Sequence, residues 1–110
     1  MATAYKYAQT QGSASTGTYN TLYTTPASTE AVISSIVICN QASSNVTVRI
    51  GLDTAAGTPG ASEFLVYDAV VAGNDTVALT LGVTLDAAKF IRVSSSADTC
   101  SFSAFLSEIS

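Results

Sequence analysis

The residues that could do chemistry are few. The chain has no histidine, two cysteines, eight carboxylates and four cationic side chains. Without imidazole there is no Ser-His-Asp or Cys-His relay and no imidazole metal site. Cys39 and Cys100 are too far apart in sequence to form a CxxC pair. Paired carboxylates cleave glycosides when two acids flank the sugar in a cleft. Asp68, between Tyr67 and Ala69, is the acid set deepest in an apolar run. Such a site also needs aromatic platforms and a second placed acid, and the chain has no tryptophan. Asp68 is therefore read as hydrogen-bonded at a strand end or bulge, and the chain as non-enzymatic. Gly57 and Gly60 flank Thr58 and Pro59, without the lysine of a GxxxxGK[ST] phosphate loop. The triplets starting at Asn45 and Asn74 match the N-glycosylation acceptor and are read as chance matches in a Thr-rich chain. No catalytic, cofactor-binding or metal-ligating residue is expected.

Composition narrows the class. One hundred and ten residues suit a single domain able to bury a core without a metal or a dense disulfide framework. The chain is 47% hydrophobic and only 11% charged, the reverse of a disordered segment. A net charge of −4, with Lys6, Arg49, Lys89 and Arg92 scattered, leaves no basic footprint for nucleic acid. No apolar run approaches the length of a membrane-spanning helix. The first residues show no secretory signal, so synthesis in a cytoplasm is expected. Cys39 and Cys100 read as small buried hydrophobes, with a disulfide between neighbouring strands as the alternative.

These residues must be positioned by strands. Residues 31–40 form the longest apolar run and are dense in β-branched side chains, which favours a strand. Strict alternation puts Val32, Ser34, Ile36 and Ile38 on one face and Ile33, Ser35, Val37 and Cys39 on the other. Both faces are largely apolar, so the run is expected inside a sheet and covered on each side. Further strands are expected at residues 4–8, 21–25, 45–52, 63–71, 76–81, 89–93 and 99–109, with a loop or single helical turn at 82–88. Residues 53–62, with Gly57, Pro59 and Gly60, read as a solvated connection. The expected core comprises Val48, Ile50, Val77, Leu79, Ile91, Val93, Phe102 and Leu106, with Leu81 on the same face as Val77 and Leu79. The fold class is all-β: an antiparallel, jelly-roll-like β-sandwich of about eight short strands.

Exterior positions are mostly Ser or Thr, which do little to oppose edge pairing, so the chain suits a subunit covered by neighbours. Residues 1–20 read as an N-terminal arm and loop on the single domain. Tyr5, Tyr7 and Tyr19 bracket the polar residues 9–20 and are candidate subunit contacts. Either these rings dock on a neighbouring subunit, or they fold back onto their own sandwich as an edge strand.

The chain resembles small virion proteins of tailed bacteriophages, particularly those infecting cyanobacteria. The matching stretches are residues 1–6, 21–29, 31–40, 48–50, 67–68, 73–85, 91–93 and 101–109, so the resemblance spans nearly the whole chain but rests on strand and turn patterning. It implies a β-sandwich in the virion. Most directly it implies a capsid decoration (cement) protein on the outer shell, bound to the major capsid protein and to copies of itself as a homotrimer. The alternative it leaves is a tail fibre or baseplate module that binds host surface glycan or acts as an adaptor. It transfers no catalytic or metal-binding residue.

Overall fold

Stretches of alternating β-branched and small polar residues fold here into strands and little else. The computed structural model describes residues 2–13, 15, 17–54, 57–80 and 82–110. Among them are nine strands: β1 (Thr3–Gln11), β2 (Asn20–Thr24), β3 (Glu30–Asn40), β4 (Val46–Asp53), β5 (Phe64–Val71), β6 (Thr76–Leu79), β7 (Val83–Leu85), β8 (Phe90–Ser95) and β9 (Cys100–Ile109). A short 3-10 turn, Ala61–Glu63, precedes β5.

The strand pairing is that of one long hairpin rolled up on itself. β4 and β5 form its inner pair, and β3 with β6 and β7, β2 with β8, and β1 with β9 nest outside them, all antiparallel. Rolling adds two further antiparallel pairs, β3 with β9 and β4 with β8. The result is a sheet in the order β1-β9-β3-β6, with β7 also on β3, facing a sheet in the order β2-β8-β4-β5. This is the jelly-roll arrangement of two Greek keys. β6 and β7 together occupy the place of one strand, so the expectation of about eight strands in an antiparallel sandwich holds.

β3 lies inside its sheet, between β9 on one side and β6 and β7 on the other. The reason both its alternating faces looked apolar is a β-bulge. Ile33 pairs with Leu106 and Ser35 with Phe105, which leaves Ser34 as the extra residue. Ala31 and Ile33 before the bulge, and Ile36, Ile38 and Asn40 after it, all face inward and are buried, while Val32, Val37 and Cys39 lie on the half-buried outer side. The expected cover on both faces is thus corrected: one face carries the core, and its phase changes once. The bulge is fixed by Ser34 Oγ, which donates to the Phe105 carbonyl at 2.9 Å.

The core is the space between the sheets. Val48, Ile50, Ile91, Val93, Phe102 and Leu106 are buried there as expected, joined by Leu22, Val46, Val71 and Ala104. Val77 and Leu79 pack against this cluster only partly buried, because they sit on β6 at the edge of the sheet, opposite Ile38 and Ile36. Leu81 lies outside the described residues. Both cysteines are free thiols, Cys39 half-buried and Cys100 buried, and burial chiefly pushes the Cys100 thiol upward.

Three expectations change on other elements. Residues 3–11, expected as a short strand or arm around residues 4–8, are a longer, integral strand paired over their whole length with β9. Residues 83–85, within the expected loop or helical turn, are β7 on β3. The connection after β4 is not wholly solvated: Asp53 and Pro59 are buried, and a Cβ at Gly51 would come within 2.6 Å of Pro59 Cγ, so only glycine fits beneath that proline. At the end of β3, buried Asn40 ties three connections together. Its Nδ2 donates to the carbonyls of Ser44, Val71 and Ala72 at 2.9, 3.2 and 3.2 Å, and its Oδ1 accepts from Ala42 N–H and Thr99 Oγ1.

Two outcomes test this packing. Phe102→Ala should cost about 3–5 kcal/mol in chemical denaturation, since the ring is fully buried between rigid sheets. Deleting Ser34 should leave a folded protein at a cost of about 1 kcal/mol, the worth of one hydrogen bond, because Ile33 and Ile36 then alternate with Ser35 in unbroken phase. Deleting Val37 instead turns Ile38 outward and Cys39 inward, and should abolish the cooperative melt; equal melting of the two deletions would refute the bulge assignment.

Candidate functional site

With the fold in place, the three tyrosines separate. Tyr5 and Tyr7 alternate on β1 and stand on the outer face of the first sheet, 88% and 70% exposed. Tyr7 is opposite Phe105, itself 43% exposed, and Phe105 is opposite Ser35 on β3. Tyr5 is opposite Ser107, which is opposite Val32. The bulge at Ser34 shapes an open groove of about 330 Å³ beside these rings, lined by Tyr5, Lys6, Val32, Ser34, Phe105, Leu106 and Ser107. This face carries aromatic and hydroxyl side chains in rows across three strands.

Tyr19 does not join them. It belongs to a cluster on the second sheet, organised by Arg49 of β4. Arg49 Nε donates to Asp68 Oδ1 at 2.6 Å and Nη2 to Oδ2 at 3.2 Å, a bidentate pair, while Nη1 donates to Tyr19 Oη at 3.3 Å. The guanidinium lies over the Tyr67 ring, 4.0 Å from its centroid. Phe64 meets Tyr67 edge-on at 4.9 Å and Tyr19 at 6.1 Å. Phe64, Tyr67 and Ala61 line an open depression of about 560 Å³. The local backbone explains the geometry: Val48 pairs with Ala69 and Ile50 with Val66, so two residues of β5 bulge opposite Arg49, and Asp68 takes a left-handed φ of 55° that aspartate tolerates. The fork of Arg49 holds the Asp68 carboxyl below its usual range, and the carboxylate in turn raises Arg49. Asp68 sits at a bulge, as its place in the sequence suggests, and is held as an anion.

A third group lies between the sheets. Glu108 is the one acid of β9 and follows the inward series Cys100, Phe102, Ala104 and Leu106. It accepts a short hydrogen bond from Tyr23 Oη across the sandwich and an ion pair from Lys6 Nζ at 3.2 Å. The Tyr23 hydrogen bond, aided by Lys6, holds the Glu108 carboxyl below its usual range against the opposing effect of burial. Burial and the neighbouring carboxylate push the Tyr23 phenol well up. On the second sheet, Arg92 Nε donates to buried Asp53 at 2.9 Å, where Gly57 N–H also donates at 2.8 Å. With Lys89 beside Asp86 at 3.9 Å, each of the four Lys and Arg side chains faces a carboxylate of the same molecule.

A cleft of about 300 Å³ at the end of the sandwich is lined by Asp53, Glu63, Asp86, Lys89 and neighbouring hydroxyls. Its deepest acid, Asp53, is already engaged by Arg92 and Gly57. Among the described residues, no group of three or more Cys, Asp or Glu converges as a metal site. The Arg49–Asp68 and Tyr23–Glu108 pairs are absent from the sequence-based expectations. An outward Arg in one alternating strand and an Asp interrupting another were the visible signal for the first; the second has none, because it joins residues 85 positions apart.

No family model and no curated protein matches the sequence. Among solved structures, the fold is similar to part of a chain in the crystal structure of the T13 IBDV viral particle, with a TM-score of 0.57 and 8% identity over 96% of this chain. The chain spans about 30% of that chain's length. At this identity the likeness concerns the fold.

The Glu108 geometry sets a pH dependence. A carboxyl held low in the folded state contributes stability above the ordinary glutamate range, and that stability is lost as pH falls through the folded value. Glu108→Gln should therefore lower stability at neutral pH by on the order of 1–2 kcal/mol and flatten the acid limb of the stability curve. Denaturant melts from neutral to acid pH check this; an unchanged acid limb would show that Glu108 is not the group responsible.

Proposed function

We propose that the chain is a structural protein of a virion, a decoration protein bound to the outer capsid shell through the major capsid protein. The observation that carries this reading is the match of almost the whole sandwich to part of a chain of an icosahedral viral particle. The surface supports the same reading: Tyr5, Tyr7 and Phe105 stand exposed on one uncharged sheet face, the kind of patch that marks a protein contact. The role is non-enzymatic. Asp68, the one acid that suggested glycoside chemistry, is held as an anion by Arg49 and is unsuited to donate a proton.

A second reading is a tail fibre or baseplate module that binds host surface glycan. The Phe64–Tyr67 pair beside Arg49 favours it, since exposed rings next to fixed polar groups suit a sugar ring. Quantitative mass spectrometry of particles purified from the encoding virus separates the two. The decoration reading expects the chain at copy numbers comparable to the major capsid protein; copy numbers comparable to tail proteins would favour the second reading. Absence from the particle would overturn both.

A further inference from the structure

An open sandwich ends in edge strands whose outward N–H and C=O groups are a template for another chain. Folded proteins blunt such edges with short strands, bulges, charges or proline. Three of the four edges here carry these devices. β6 and β7 are only four and three residues long. β5 departs from regular register at two places and carries Asp68 at its bulge. β2 has five residues, shifts register between Thr21 and Tyr23, and ends just before Pro26. β1 carries only a single charge. It runs nine residues in unbroken register with β9 and contains no proline. Its one charged residue, Lys6, is paired with Glu108 of its own molecule. Among the described residues, no main-chain hydrogen bond reaches the outer edge of residues 3–10.

We infer that β1 is an assembly edge that pairs antiparallel with β1 of a second copy of this chain about a two-fold axis. A strand laid antiparallel to its own copy meets the same row of donors and acceptors in reverse, so the hydrogen bonding is complementary without further adjustment, and the isologous contact closes as a dimer. The side chains comply. The tyrosines of one copy come beside the outer-face residues of the other, where cross-strand aromatic neighbours stabilise a sheet. The only like charge brought to the seam, Lys6, already has its own counter-ion. Apart from Lys6 the strand is Thr, Ala, Tyr and Gln, with no charge that would select a partner of another composition. A trimer built on β1 strand pairing would need β1 to meet a different edge, and the other three are the blunted ones. This pairing needs no capsid shell, so it stands apart from the virion reading.

The test is sedimentation equilibrium of the full chain over a dilution series, with amide hydrogen exchange at both ends of that series. The expected result is a monomer–dimer equilibrium in which the β1 amides directed away from β9 are protected in the dimer and exchange freely in the monomer. The double substitution Tyr5→Lys and Tyr7→Lys, at exposed positions, adds four like charges along the seam and should weaken the dimer on the order of tenfold. A monomer at every concentration, a trimer, or a dimer whose outward β1 amides exchange as fast as the monomer's would overturn the inference. If the double variant does not fold, exchange in the unsubstituted chain decides alone.

Discussion

The seam between β3 and β9 is the constraint on which the rest of the molecule depends. These two strands run antiparallel from the Glu30–Ile109 pair to the Asn40–Cys100 pair, and their pairing closes the nested hairpin into a roll. Without it the outer pair, β1 with β9, would have no sheet to join, and β6 and β7 would attach to an edge. The seam also supplies the inward row of the first sheet: Ala31, Ile33, Ile36 and Ile38 beside Cys100, Phe102, Ala104 and Leu106. The bulge at Ser34 sits in its middle. An extra residue there increases local twist, and it falls where β3 passes from β7 to β6.

Many of the described polar groups hold this roll together. Each buried charge has a partner, as the cost of desolvation requires: Asp53 meets Arg92 and Gly57 N–H, and Glu108 meets Tyr23 and Lys6. The Tyr23–Glu108 bond crosses from β2 to β9 and so links the sheets at the end farthest from Asn40, which gathers the connections at the other end. Lys6 adds β1 to the first of these ties. What remains on the outside is hydroxyl, amide and aromatic surface with little charge, a surface suited to being covered by another protein.

Period-two alternation is a local property, and it made much of this fold legible. Val48 with Ile50, Ile91 with Val93, and Phe102 with Leu106 could be placed inward because each strand's pattern repeats without interruption. The same logic identified an all-β sandwich, and the missing histidine leaves no imidazole relay in the chain. The resemblance to virion proteins pointed to the same fold, while contacts with other proteins are something strand patterning does not encode.

Alternation cannot report its own interruptions, and there the tertiary structure decided. Whether Ser34 is a bulge depends on which residue of β9 lies opposite, so the apparent two-sided greasiness of β3 became one inward face with a phase change. Thr84 and its neighbours became a strand because β3 offered an unpaired edge, although three residues carry too little pattern to show it. The fate of the tyrosines was likewise non-local. Tyr19 was drawn to Arg49 by the registers of β2 with β8 and of β8 with β4, Tyr23 to Glu108 across the core, and Tyr5 and Tyr7 were left outward by their phase on β1. By itself the sequence determined most of the segments that are strands and most of the side chains they bury, since both follow from short-range periodicity. Pairing, bulges and the partners of each charge were decided only when strands distant in sequence met, because hydrogen-bond register is a property of two strands at once.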